Sequence, residues 1–167
     1  MYRVPSNRKL PGLTFFVTAV TRQRKPLFAT QPAVGIVLDI LQFFRQRSEW
    51  ELYGYVIMPD HIHFVAKPIA PQTIPALVRR LKTFTAKQLG QGPIWEEGYH
   101  SEGLTSYPMI RQKLNYIFEN PVRAGLAADR ILYPWSSACE SLSDVARRTI
   151  DPFVAESAEA KTAGGRH

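Results

Sequence analysis

The sequence predicts an α+β domain of the ferredoxin-like βαββαβ kind, an antiparallel sheet covered by helices, with one more helix added at the C-terminal end. Three observations lead there. Hydrophobic residues switch between a period of two and a period near 3.6 several times along the chain. Two strand-like runs, "WELYGYVIM" and "HIHFVAK", are separated by Pro59 and Asp60 alone, a link suited only to an antiparallel hairpin. At 167 residues, 45 % of them hydrophobic, the chain has the length and apolar content for one full core.

Each element follows from its own pattern. In "GLTFFVTAV", Leu13, Phe15, Val17 and Ala19 share one face while Thr14, Phe16 and Thr18 share the other, which makes a strand. "QPAVGIVLDILQFFRQR" carries Val34, Val37, Leu38, Leu41 and Phe44 at helical spacing behind an early Pro. The hairpin comes next. "IPALVRRLKTFTAKQL" sets Ile74, Leu77, Val78, Leu81 and Phe84 on one stripe and keeps Arg79, Arg80, Lys82 and Lys87 mostly off it. A short strand is expected around "PIWEEGYH", then a helix in "PMIRQKLNYIFEN" that ends before Pro121, because proline disfavours helix in the residue preceding it. The domain is expected over residues 1–137. Residues 138–167, Ala-, Ser- and Arg-rich and closing on "KTAGGRH", are expected to be a partly disordered extension.

Composition narrows the function. No apolar run approaches the roughly 18 residues a membrane span needs. The start, with Arg3, Arg8 and Lys9, runs into a strand rather than a signal-peptide core, so a cytoplasmic, non-membrane protein is expected. One cysteine, Cys139, excludes an internal disulfide and any multi-cysteine zinc site. Metal binding would have to use His, carboxylate or amide groups. The 21 Lys and Arg against 14 Asp and Glu, a formal +7, favour a polyanionic partner, nucleic acid first.

Two of the four histidines stand in "MPDHIHFV". On a strand, His61 and His63 share a face while Ile62 and Phe64 point the other way, into the core. Two imidazoles about 7 Å apart along a strand make a fair pair of metal ligands, but an incomplete site. Without a partner they read as two polar residues on a half-exposed strand face rather than as a metal site. The last predicted helix offers partners. With Ile110, Leu114, Ile117 and Phe118 on its core arc, Tyr116 and Asn120 lie one turn apart on another arc beside Gln112 and Lys113.

The combination of "MPDHIHFV", "YIFENPVRAGL" and "YPWSS", with "TFFVTAVTRQRKPLF", "LVRRLKTFTAKQL" and "IWEEGY", resembles the HUH-type tyrosine transposases, most closely the REP-associated tyrosine transposase branch. The resemblance covers about residues 10 to 137. It implies an enzyme that nicks and rejoins hairpin-forming single-stranded DNA such as repetitive extragenic palindromes. It makes Tyr116 the nucleophile and gives His61 and His63 one divalent cation, Mg²⁺ or Mn²⁺, with Asn120 as third ligand. The family often has an acidic residue where this chain has His100. The partner implied is single-stranded or hairpin DNA, bound by a monomer or a homodimer.

Phosphate contacts are expected from Arg8, Lys9, Arg22, Arg24, Lys25, Arg79, Arg80, Lys82 and Arg123. Lys113, one turn before Tyr116, is a further candidate and equally a solvated helix charge. Tyr53, Tyr55, Trp95 and Tyr99 are candidate stacking platforms or core aromatics. Two other readings of the residues stay open: a non-catalytic nucleic-acid-binding module on the same sheet, and a hydrolase whose metal activates water.

Overall fold

The computed structural model describes residues 13–139 and Asp151. Four strands and three helices follow in the order β1 (Thr14–Val20), α1 (Gln31–Gln46), β2 (Trp50–Met58), β3 (His61–Pro68), α2 (Ile74–Leu89), β4 (His100–Leu104) and α3 (Tyr107–Arg123). The sheet order is β2-β3-β1-β4 and every pairing is antiparallel. This is the predicted α+β arrangement. Among the described residues, no helix is long and apolar enough to cross a membrane.

Local chemistry starts and stops the helices. Thr73 caps α2 by accepting from the Ala76 N–H at 3.4 Å, and Ser106 caps α3 from Met109 at the same distance. All three helices carry Pro in the first two positions, where no intrahelical N–H is needed. Gly90, at φ +63°, ends α2 in the left-handed conformation that glycine adopts without a Cβ clash.

Alternation divides the sheet between two cores. Phe15, Val17 and Ala19 of β1 and Ile62, Phe64 and Ala66 of β3 join α1 and α2 in the larger core. Phe16 and Val65 face the other way, with Ile110, Leu114 and Ile117 of α3. Strand β2 changes phase at an irregularity between Leu52 and Gly54, so Leu52 and then Tyr55 and Ile57 face the larger core. Gly54 is thereby turned to α3. A Cβ on it would lie 2.6 Å from Leu114 Cδ2 and 3.1 Å from Phe118 Cζ, so glycine sets how closely α3 sits on the sheet.

Two boundaries differ from expectation. The last strand is His100–Leu104 rather than "PIWEEGYH", of which Trp95 makes only an isolated bridge to Thr21. Ile94 and Trp95 are spent filling the core instead. Helix α3 continues through Pro121 to Arg123. Pro121 lies in the last turn and forfeits one intrahelical bond, its ring is buried, and the Ala124 N–H closes on the Asn120 carbonyl at 3.0 Å.

After α3, the "YPWSS" segment returns along β2. The Ile57 N–H donates to the Trp135 carbonyl, the Ser137 N–H to that of Tyr55, and the Tyr133 hydroxyl to that of Ile57. This pairing covers an edge that would otherwise expose unpaired backbone groups. Of the expected extension, Ala138, Cys139 and Asp151 are described; Asp151 accepts from the Leu52 N–H at 2.8 Å and from Arg45 Nε at 3.1 Å.

Candidate active site

Pairing register builds the floor of the site. Thr18 lies opposite His63 on one side and His100 on the other, so these side chains share the α3 face. The rings of His61 and His63 are 4.7 Å apart, centre to centre, at 77°. Each has its Nδ1 engaged: His61 by Asp60 Oδ1 at 2.6 Å, His63 by Thr18 Oγ1 at 2.7 Å. On the far side of His63, Asn120 Nδ2 lies 3.0 Å from Nε2. With the Asn120 amide nitrogen turned to it, Nε2 is the acceptor, and His63 then donates from Nδ1 to Thr18. The Asp60 carboxylate accepts from His61 Nδ1 in the same way.

His63 is 6 % exposed and stacks on Phe16 at 5.4 Å. Burial, aided by the charges of His61, Arg123, His100 and Arg24, pushes its pKa down to about 3, so the ring is neutral at physiological pH. Burial opposes ionisation of Asp60, but the hydrogen bonds and charges of His61 and Arg24 outweigh it and hold the carboxyl below its ordinary value. With Nδ1 engaged on both rings, Nε2 is the nitrogen each histidine can offer to a metal.

Helix α3 forms the opposite wall. Tyr116 is 43 % exposed, its ring 5.8 Å from that of His63 and edge-on to Phe16 at 5.9 Å. The Arg123 guanidinium covers the outer side of the ring at 4.4 Å and donates from Nη2 to the Tyr116 carbonyl at 2.8 Å. Lys113 Nζ pairs with Glu102 at 2.7 Å and lies over the Phe16 ring at 4.9 Å. The spacing of α3 thus delivers a phenol, an amide and an ammonium to one cleft.

That cleft, about 600 Å³, is lined by His61, His63, His100, Lys113, Tyr116 and Asn120 among others. It opens on one side into a hollow of about 500 Å³ beside Glu96, Glu97 and Tyr99, and on the other into one of about 430 Å³ beside Met58, Ala124 and Leu126. Arg24 lines all three. Among the described residues, no three His, Cys, Asp or Glu side chains group as metal ligands. A cation held by the histidine pair would need the Asn120 amide, which offers an oxygen once it turns over. A donor set of two imidazole nitrogens and one amide oxygen would suit a divalent cation.

The other predicted residues distribute unevenly. Arg22, Arg24 and Lys25 lie on the turn after β1, where Gln23 and Arg24 hold φ of 57° and 55°. Such left-handed backbone costs a non-glycine residue roughly 1–3 kcal/mol and persists only where neighbours enforce it. Arg79 and Arg80 are on α2, across the sheet from the cleft. Arg80 is engaged by the buried Glu49 and covers the Phe44 ring at 4.6 Å. Lys82 ties down the loop before β4, donating to the carbonyls of Glu96, at 2.9 Å, and of Gly98. Arg8 and Lys9 lie outside the described residues. Of the aromatic candidates, Tyr55 and Trp95 are core, the Trp95 Nε1–H donating to Thr85 at 2.8 Å; Tyr53 donates to Glu51; Tyr99 reaches the groove.

Four contributors escaped the sequence reading: Thr18, Asp60, Phe16 and Glu102. Phe16 and Thr18 were legible as a second face of β1, but nothing local marks a threonine as a histidine's partner. Asp60 reads as a turn residue. Its place beside His61 was the available signal.

Comparison with known proteins agrees with this fold. Residues 10–119 match the family described as "Transposase IS200 like". The "REP-associated tyrosine transposase" of Escherichia coli (strain K12) is 23 % identical over 129 residues, 77 % of this chain and 78 % of that protein. A solved REP-associated tyrosine transposase bound to a REP hairpin superposes with a TM-score of 0.73 and 23 % identity, over 90 % of this chain and 88 % of the other. With the family pattern matched over residues 10–119, from β1 into α3, the chain belongs to the IS200-like transposase family.

Proposed function

We propose that this transposase is a metal-dependent single-strand DNA endonuclease and strand transferase acting on hairpin-forming DNA of the REP kind. Tyr116 is its nucleophile, and His61, His63 and Asn120 are ligands of Mg²⁺ or Mn²⁺. One observation carries the reading: Asn120 touches His63 Nε2 at 3.0 Å while Tyr116, one turn earlier, turns its ring to the same imidazole at 5.8 Å. The relative bound to a REP hairpin supports the choice of substrate.

When bound, a divalent cation supplies Lewis-acid polarisation of a nonbridging phosphate oxygen. The chain's own residues do the rest. Tyr116 Oη bonds to phosphorus in line with the departing 3′-oxygen, the P–O3′ bond breaks, and the phenolic proton passes to solvent while the 3′-oxygen leaves as a hydroxyl. The product is a 5′-phosphotyrosine link. It conserves the phosphodiester energy, so a second 3′-hydroxyl reverses the step and joins new strands. Phe16, Arg123 and the helical backbone hold the Tyr116 ring, and the half-exposed phenol stays open to DNA.

Tyr116 faces the histidines of its own chain, which supports action in cis. The test is a denaturing gel of protein incubated with labelled single-stranded hairpin DNA and Mn²⁺ or Mg²⁺. A covalent band is expected for the native protein and none for Tyr116→Phe. Cleavage without a band would mean the metal-activated-water reading; binding without cleavage would mean a non-catalytic module. Mixing Tyr116→Phe with His63→Ala should not restore the band if each chain uses its own tyrosine.

A further inference from the structure

Among the described residues, the three cations at or beside the cleft are not equally committed. Lys113 is paired with Glu102 at 2.7 Å and lies over Phe16, and Arg123 is laid on the Tyr116 ring with a donor on its carbonyl. Arg24 differs. Its side chain is 64 % exposed, and among the described residues its ion pair, with Asp60, is long, 3.4 Å from Nη1 to Oδ2. So exposed and stretched a pair contributes little, and Arg24 can exchange it for another anion at small cost.

The backbone beneath Arg24 is nonetheless fixed. The Arg22 N–H donates to the Ile94 carbonyl at 2.8 Å, and the Gln23 N–H to Glu96 Oε1 at 2.7 Å. Thr21 Oγ1 contacts the carbonyls of Lys25 and Asp60, both at 2.8 Å. Lys82 in turn anchors the Glu96–Gly98 loop from below. These contacts hold Gln23 and Arg24 in left-handed backbone at the rim of the cleft, without glycine at either position. A strained turn held by so many contacts serves to present the side chain it carries.

We propose that Arg24 is a catalytic residue of the strand-cleavage step: its guanidinium leaves Asp60 and grips the nonbridging oxygens of the scissile phosphate as Tyr116 attacks. The inference rests on the function proposed above and adds to it a residue the metal does not replace. His61, His63 and Asn120 are all neutral ligands, so no carboxylate among them competes for the guanidinium. A planar two-pronged donor matches two phosphate oxygens, which a lysine does not. Asp60 keeps its bond to His61 through the other carboxylate oxygen, so releasing Arg24 does not free the histidine.

The experiment compares single-turnover adduct formation with Mn²⁺ on two hairpin substrates, one with a normal scissile phosphodiester and one with an uncharged methylphosphonate there. On the phosphodiester, Arg24→Ala is expected to slow adduct formation about 100- to 1,000-fold, with a smaller loss for Arg24→Lys and DNA affinity changed less than about 10-fold. On the methylphosphonate the native and Arg24→Ala rates should converge to within about 3-fold, because the charge the guanidinium neutralises is gone. Arg24→Gly, which suits the left-handed backbone, should reproduce the alanine result with an unchanged melting temperature. Equal losses on both substrates, or variants as fast as the native protein, overturn the role of Arg24 and leave Tyr116 untouched. If the native protein forms no adduct on either, the parent reading falls and this one with it.

Discussion

The sheet face under α1 and α2 is closed by Phe15, Phe28, Phe44, Trp50 and Phe64, all essentially without solvent contact, and among the described residues it holds no histidine. The face under α3 has a smaller core, and where that core ends the same strands present His61, His63, Thr18 and Phe16 to a groove. Each of β1 and β3 serves both sides by alternation, so one strand anchors with its odd or even residues and reacts with the others. Stability and chemistry are thus on separate faces, and paired substitutions in β3 can pull them apart.

The largest expected contrast is between neighbours. Phe64→Ala removes an aromatic from the sealed face and should lower unfolding free energy by about 3–5 kcal/mol in a urea titration, while the protein still folded continues to form adducts. His63→Ala should do the reverse, cutting adduct formation more than about 100-fold with a much smaller loss of stability. Equal effects of both on activity per folded molecule would break the division.

Gly54→Ala probes the seam. Its Cβ would meet Leu114 at 2.6 Å, so α3 must shift, at about 1–3 kcal/mol of stability. Because α3 carries both Tyr116 and Asn120, a displacement near 1 Å should slow adduct formation on the order of 100-fold, out of proportion to the stability change. Asp60→Asn is gentler. It keeps the turn but weakens the hold on His61 Nδ1, and calorimetry should find Mn²⁺ affinity lowered about 10-fold with little change in melting temperature.

The same contrast explains what sequence reading reached. The helical stripes of α1 and α2, the hairpin at Pro59 and Asp60, and the opposite facing of His61 and Ile62 follow from periodicity, which acts locally. The irregularity at Leu52–Gly54 and the partnership of Thr18 with His63 do not, because each depends on which residue of a distant strand lies opposite. Helix α3 overran its expected end because tertiary burial of Pro121 outweighs a local preference. Arg80 and Lys82 looked like DNA contacts while their carboxylate and carbonyl partners, Glu49 and the Glu96–Gly98 loop, were out of view.

Acid should separate the two faces in sequence. His63 is held neutral with a folded pKa near 3, below the ordinary histidine value, so the unfolded chain binds a proton that the folded one refuses. Its contribution is full above about pH 6.5 and drains away as pH falls toward 3, by about 1 kcal/mol per unit in between. On the sealed side, the hydrogen bond from Arg80, reinforced by Arg47 and opposed by burial, lowers the Glu49 pKa, so that contribution is full above the ordinary carboxylate range and lost only below it. Urea titrations at successive pH values should show the fall between about pH 6.5 and 4.5 flattened in His63→Gln and kept in Glu49→Gln. A decline in that window that survives His63→Gln would mean that the buried imidazole is not what the acid reaches first.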